Sequence, residues 1–126
     1  MTEPDLLKIL RMDATQNGMR LFRNNTGTGW TGKIKRTTDG GVYINPARPL
    51  HSGLCKGSAD LIGWIPVKIT PEMVGSTVAV FAAVEAKTGR LKLTKEQHNF
   101  LDAVNSAGGV GIVARESDGK YILEVE

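Results

Sequence analysis

The chain predicts a mixed α/β fold, an N-terminal helix, a central sheet, a second helix and a returning strand, and three observations carry that expectation. A short apolar stripe near the N-terminus is capped as a helix. The run Val78-Ala79-Val80-Phe81-Ala82-Ala83-Val84 is continuously small and apolar, as in a strand buried on both faces at the centre of a sheet. Thr94-Lys95-Glu96-Gln97 then opens a second helix before a further apolar strand.

Taken in order, Glu3 to about Arg11 reads as the first helix, with Thr2 as N-cap and Pro4 tolerated in its first turn. Glu3, Leu7 and Leu10 share one face, which puts Glu3 at the rim of whatever that face packs against. Met19 to Arg23 suits a short strand. From Asn24 to Gly41 glycine, threonine and asparagine dominate, and a long polar loop or loose hairpin is expected. Gly41-Val42-Tyr43-Ile44 is a strand stopped by Asn45-Pro46, and Ala47 to Gly57 reads as irregular. Leu61 to Ile69 is a strand interrupted by Pro66, and Thr77 to Lys87 is the next. The second helix runs through Phe100, Leu101 and Val104 to Gly108-Gly109. Val110 to Arg115 is a strand, and Ser117-Asp118-Gly119 turns into Tyr121 to Val125 as a hairpin.

Composition bounds the rest. A chain of 126 residues with 40% hydrophobic and 23% charged content is one globular domain spanning residues 1–126. Its net charge of +3 fits a nucleic-acid partner without requiring one. A lone cysteine, Cys55, excludes an internal disulfide and a thiolate-rich zinc site, and is expected as a small buried side chain. No basic leader and no apolar run of membrane-spanning length is present, so a cytoplasmic protein without membrane or organic-cofactor partners is expected.

The residues that carry chemistry are Asp60, in Gly57-Ser58-Ala59-Asp60-Leu61-Ile62-Gly63, and Glu85-Ala86-Lys87 at the end of the apolar run. Alternation puts Glu85 and Lys87 on one strand face while Ala86 turns away. Asp60 begins one strand and Glu85 ends the next, so an antiparallel pairing of the two would bring both acids to one sheet edge. Two acids so placed repel each other unless a cation intervenes, and Mg²⁺ suits hard oxygen ligands. The Ala86 carbonyl would supply a further oxygen, and Lys87 would serve a water or a phosphate. An E-x-K tripeptide alone is common by chance; its weight here comes from the strand before it, the acid opening the preceding strand and the capped helix after it. Gln97, the third residue of the helix opened by Thr94, reads from the residues as the reciprocal half of the capping box.

Four ordered blocks, Gly57 to Gly63, Val84-Glu85-Ala86-Lys87, Leu93-Thr94-x-x-Gln97-x-x-Phe100 and Gly108 to Val113, resemble the virus-type replication-repair nuclease (VRR-NUC) domain of the PD-(D/E)xK superfamily. The resemblance covers about Gly57 to Arg115. It implies a restriction-endonuclease-like core, a central mixed sheet flanked by helices in the order αβββαβ. It also implies Asp60 and Glu85 as metal-binding acids, Lys87 as catalytic lysine and Gln97 as the polar residue of the following helix. Family members carry an acid on the N-terminal helix, matched best by Glu3, with Asp5 as the alternative. Ala59 departs from the proline that often precedes the first acid, a change of backbone shape and not of chemistry.

The function expected is a Mg²⁺- or Mn²⁺-dependent, structure-selective DNA endonuclease. Likeness to stand-alone phage members implies a homodimer resolving four-way (Holliday) junctions, since a symmetric junction offers two equivalent cuts. An end-processing or flap nuclease and a non-catalytic DNA-binding module are the alternatives. Trp30, Lys33, Lys35 and Arg36 suit a duplex backbone or an unpaired base, with His51 a further DNA contact. Arg20, Arg23, Arg90 and Lys92 would extend a phosphate track. His98 reads as an exposed helix residue.

Overall fold

A computed structural model describes residues 1–125. Two helices and nine strands, gathered into small sheets, make a mixed α/β structure among the described residues. Contacts divide the chain into two compact units, Met1–Gly63 and Trp64–Glu126.

In the first unit, α1 spans Glu3–Gln16. Thr2 and Asp5 close its N-terminus reciprocally. The Thr2 hydroxyl oxygen accepts the Asp5 N–H at 3.3 Å, and Asp5 Oδ2 accepts the Thr2 N–H at 3.1 Å. The helix continues past Arg11 because nothing between Met12 and Gln16 breaks it. The first breaker is Gly18, whose φ of +76° suits a residue without a Cβ. Leu7 and Ala14, two turns apart, are buried where α1 packs on β1 (Arg20–Arg23), whereas Leu10 is 42% exposed. The buried stripe therefore follows Leu7 and Ala14, not Glu3, Leu7 and Leu10.

The polar stretch, expected as a long polar loop or a loose hairpin, takes the hairpin form and extends through the stretch expected as irregular into a long antiparallel ribbon. β2 (Gly27–Thr31) pairs with β5 (Arg48–Ser52), and β3 (Ile34–Arg36) pairs with β4 (Val42–Ile44). The register runs from Thr31↔Arg48 to Ile34↔Ile44, so residues 32–33 lie opposite residues 45–47, a one-residue bulge. Gly32 stands at that bulge, where an added Cβ would lie 2.2 Å from the Pro46 carbonyl oxygen. Glycine masked a strand in which Thr28, Trp30 and Thr31 are good strand formers. At the tip the Asp39 carboxylate accepts the Thr37 hydroxyl and, at 3.1 Å, the Gly41 N–H. These bonds, the hydroxyl first, hold its pKa below the usual value.

β6 (Leu61–Trp64) stops before Pro66 and takes β1 as its ladder neighbour. Gly63 permits this: a Cβ there would fall 1.7 Å from the Arg20 carbonyl oxygen. β7, expected from Thr77, spans only Ala82–Thr88 and pairs with β8 (Val110–Ser117). The antiparallel ladder expected between the strand opened by Asp60 and the strand closed by Glu85 is therefore not formed among the described residues. Each strand has another partner.

In the second unit β7 and β8 run parallel, joined across α2 (Lys95–Ser106), and β9 (Lys120–Val125) returns antiparallel through Asp118-Gly119, both at positive φ. Burial along β7 alternates, with Val84 57% exposed, so the strand is not covered on both faces. Leu101, Val104 and Val113 form the buried centre between α2 and β8, and Phe81 lies 4.9 Å from Trp64 between ring centroids. Close approach of helix to strand depends on Gly111. The Asn105 amide bonds both Gly111 main-chain groups, accepting its N–H at 2.8 Å and donating to its carbonyl at 3.1 Å.

Candidate active site

Glu85 and Lys87 occupy the partly buried face of β7, with Ala86 turned to the other side, as alternation along a strand requires. Lys87 Nζ lies 3.9 Å from Glu85 Oε1, with side chains 14% and 32% exposed.

Gln97 resolves the two readings of its side chain by serving both. Its Oε1 accepts the Thr94 N–H at 3.0 Å, and the Thr94 hydroxyl oxygen accepts the Gln97 N–H at 3.1 Å, completing the capping box. Its Nε2 donates to Glu85 Oε1 at 2.9 Å. The amide orientation is fixed chemically, because Thr94 offers only a donor and Glu85 only an acceptor; a flipped amide would fail both. The start of α2 is thus tied to the carboxylate on β7. The loop between them is held from the other side. Arg115, on β8, donates to the carbonyls of Gly89 at 3.0 Å and Leu91 at 2.7 Å, and its Nε to Glu124 at 2.8 Å.

Asp60 sits in the first unit, exposed, at the start of β6. Its carbonyl accepts the Asn24 N–H at 2.8 Å. Its carboxylate makes no hydrogen bond or ion pair among the described residues and stays available to a ligand. In neither unit do three or more His, Cys, Asp or Glu side chains gather into a metal-sized group among the described residues. Glu3 and Asp5 are distinguishable. Asp5 is committed to the helix cap, its pKa lowered by the Thr2 hydroxyl and then the Thr2 N–H, whereas Glu3 is exposed in the first turn.

Each unit taken by itself offers hard oxygen donors of the kind a divalent cation takes: the Asp60 carboxylate in the first, and in the second the Glu85 carboxylate, of which Gln97 engages Oε1. No histidine or thiolate is needed.

The basic and aromatic candidates lie on the ribbon. Trp30 is 61% exposed and cross-strand from Pro49. Lys35 faces Tyr43, itself 58% exposed, while Arg36 shares the opposite strand face with Ile34. Lys33 lies at the bulge, its carbonyl accepting the Asn45 N–H at 3.0 Å. His51 pairs with Thr28, its Nδ1 lying 3.1 Å from the threonine hydroxyl. Arg20 and Arg23 are exposed at the two ends of β1, and the Arg23 guanidinium bonds Asn25 Oδ1. His98 is exposed on α2, 3.3 Å from Asp102. Cys55 is exposed in the Cys55–Ser58 turn and not buried as expected, because the segment around it is a surface connection.

Sequence reasoning missed Asn24. Its side chain bonds Leu54, Ser58 and Ala59, some thirty residues away. An asparagine directly after a short strand was the available signal, but long-range partners leave no local pattern.

The family profile of the VRR-NUC domain matches residues 47–117, which contain Asp60, Glu85, Lys87 and Gln97. No curated protein and no solved structure matches the chain.

Proposed function

The chain belongs to the VRR-NUC family, a PD-(D/E)xK-type nuclease domain acting on DNA, and from that premise we propose that it is a Mg²⁺- or Mn²⁺-dependent endonuclease selective for branched DNA. The observation that carries the reading is the Gln97–Glu85–Lys87 arrangement. A helix cap is used to hold an acid, and a poorly exposed lysine is kept beside that acid. A solvated strand end has no use for either.

In this reading Asp60 and Glu85 are the metal-binding acids, with the Ala86 carbonyl and Glu3 as further oxygen donors. A divalent cation held by these groups would stabilise phosphoryl charge and acidify water. Gln97 orients Glu85 so that its second oxygen is presented without a search among rotamers. Lys87, its charge partly balanced by Glu85, orients the attacking water or offsets negative charge growing on the phosphate. Trp30, Lys33, Lys35, Arg36 and His51 make the ribbon a DNA-contacting arm: cations for phosphates, and an exposed indole on which an unpaired base can stack. A restriction-endonuclease-like core and a homodimer cutting both sides of a four-way junction complete the proposal.

The test is cleavage of linear, flapped and four-way DNAs, and of a closed circle, in Mg²⁺ and Mn²⁺, with the solution mass measured alongside. Metal-dependent cutting of circles and junctions, lost in Glu85→Ala and in Lys87→Ala, is expected. Full cleavage by both variants would sink the mechanism. Cutting confined to free ends or flaps would replace the junction part of the reading, and tight binding without cutting would make the protein a non-catalytic DNA-binding module.

A further inference from the structure

The turn that delivers Asp60 is held by one amide from a distant strand end. Asn24, just past β1, is half-buried and uses both heteroatoms of its side chain. Oδ1 accepts the Leu54 N–H at 3.0 Å, while Nδ2 donates to Ser58 Oγ at 2.7 Å and to the Ala59 carbonyl at 2.8 Å. Its main-chain N–H donates to the Asp60 carbonyl at 2.8 Å. Ser58 passes the restraint on, its hydroxyl donating to the Cys55 carbonyl at 2.6 Å. Leu54 presents a donor and Ala59 an acceptor, so the site demands one group with an acceptor and two donors. Among side chains of this length only asparagine supplies them.

The carboxylate of Asp60 makes no bond of its own among the described residues, so its position depends on the main chain that carries it. That main chain is fixed on one side by Asn24 and on the other by the close passage of Gly63 against Arg20. We infer that Asn24 is a positioning residue for Asp60, an amide latch that holds the Leu54–Asp60 turn in the conformation able to bind the cation. The inference rests on the nuclease reading for the role of Asp60, but the hydrogen bonds stand independently of it.

Asn24→Asp is the informative change. It preserves shape and the acceptor for Leu54, removes both donors, and sets a carboxylate against the Ala59 carbonyl. Ser58→Ala removes one link and leaves the Leu54 and Ala59 bonds. Each full-length variant is compared with wild type and Asp60→Ala for Mn²⁺ affinity by calorimetry, DNA affinity in Ca²⁺, and steady-state cleavage. Asn24→Asp is expected to weaken Mn²⁺ binding by about 10-fold or more, the usual consequence of losing a group that orients a metal ligand. kcat should fall by on the order of 10²-fold, as expected for a misplaced reacting group, with KM and DNA affinity unchanged. Excess Mn²⁺ should restore part of kcat in Asn24→Asp and none in Asp60→Ala, a split that general loss of structure would not give. Ser58→Ala should move Mn²⁺ affinity and kcat in the same direction by a smaller factor, and decides the matter if Asn24→Asp does not fold. Folded variants that bind Mn²⁺ and cleave as wild type would overturn the inference. A wild-type protein that binds Mn²⁺ through Asp60 yet cleaves no DNA would overturn the nuclease reading and leave Asn24 to be judged on affinity. Mn²⁺ binding insensitive to Asp60→Ala would overturn the inference together with the metal-ligand role of Asp60, while the nuclease reading would still be decided by cleavage.

Discussion

Gln97 carries two jobs on one amide, and substitutions can separate them. Gln97→Ala removes the acceptor for Thr94 N–H and the donor to Glu85 together. Gln97→Glu keeps the first and reverses the second, because a glutamate at the third helical position completes a capping box as well as a glutamine. Thr94→Ala strips the cap and leaves the Glu85 bond available. The cap contributes about 1 kcal/mol and a hydrogen bond to a charged group about 1.5–3 kcal/mol. Gln97→Ala loses the cap partner and the Glu85 bond, and Gln97→Glu loses that bond and sets a second carboxylate against Glu85, so each should be less stable than wild type by about 1–3 kcal/mol, and Thr94→Ala by about 1 kcal/mol.

Gln97→Glu should also have a kinetic effect. Two unit charges 4 Å apart interact by about 4 kcal/mol at an effective dielectric of 20. Glu85 is 32% exposed and solvent screens such a pair, so a penalty on the order of 1–2 kcal/mol is the reasonable figure. On the proposed reading, a penalty of that size on the acid that meets the cation should lower kcat/KM by about 10-fold. The assay is plasmid cleavage in Mg²⁺, with thermal unfolding of the same samples. An unchanged kcat/KM in Gln97→Glu would refute the positioning of Glu85 by Gln97. A Thr94→Ala protein as stable as wild type would refute the cap.

Lys87→Met, which keeps the stem and loses the charge, should lower kcat by on the order of 10²-fold without moving DNA affinity, read by single-turnover cleavage beside binding in Ca²⁺. Gly111→Ala would bring a Cβ to 2.8 Å from the Leu101 carbonyl oxygen, and should destabilise the protein by about 1–3 kcal/mol in thermal melts. Trp30→Ala should weaken binding of DNA with unpaired bases by about 1–3 kcal/mol and leave plain duplex nearly untouched, measured by fluorescence anisotropy. The Asp5 carboxylate has its pKa lowered in the folded protein, so the support it gives α1 is present above the ordinary carboxylate value and lost as pH falls through the lowered one. Asp5→Ala should therefore weaken α1 protection in hydrogen exchange at neutral pH and make no difference at acid pH below both values.

Elements whose signals are local were legible in the chain. Thr2 and Thr94 cap their helices, Gly18 and Gly108 follow the ends, and Asp118-Gly119 turns the last hairpin. Glu85 and Lys87 share a face because strand alternation leaves no other choice. Pairing was harder to read. Composition left a loop and a loose hairpin both open where the Gly27–Ser52 ribbon forms, since glycine hides strand propensity and the partner strand begins at Arg48, in a stretch that reads as irregular. The partner of the Asp60 strand was misassigned for a similar reason. Gly63 admits β1 at a distance no other residue would tolerate, and nothing near Asp60 in sequence announces it.

The same distinction explains how the site residues differ in visibility. Asp60, Glu85, Lys87 and Gln97 stand in ordered blocks because each is fixed by the short element it belongs to. Asn24 stands in no block, although its side chain makes three bonds across some thirty residues. Removing a chemical group and removing its support should therefore leave different signatures. On the proposed nuclease reading, loss of Asp60 or Glu85 deletes a metal ligand, and no excess of cation should restore it. Loss of the amide at Asn24 or Gln97 leaves the ligand in place but unheld, so a higher metal concentration recovers part of the rate. Metal titrations of the four alanine variants should fall into those two pairs. A rate for Asn24→Ala or Gln97→Ala that no metal concentration raises would place that amide among the reacting groups instead.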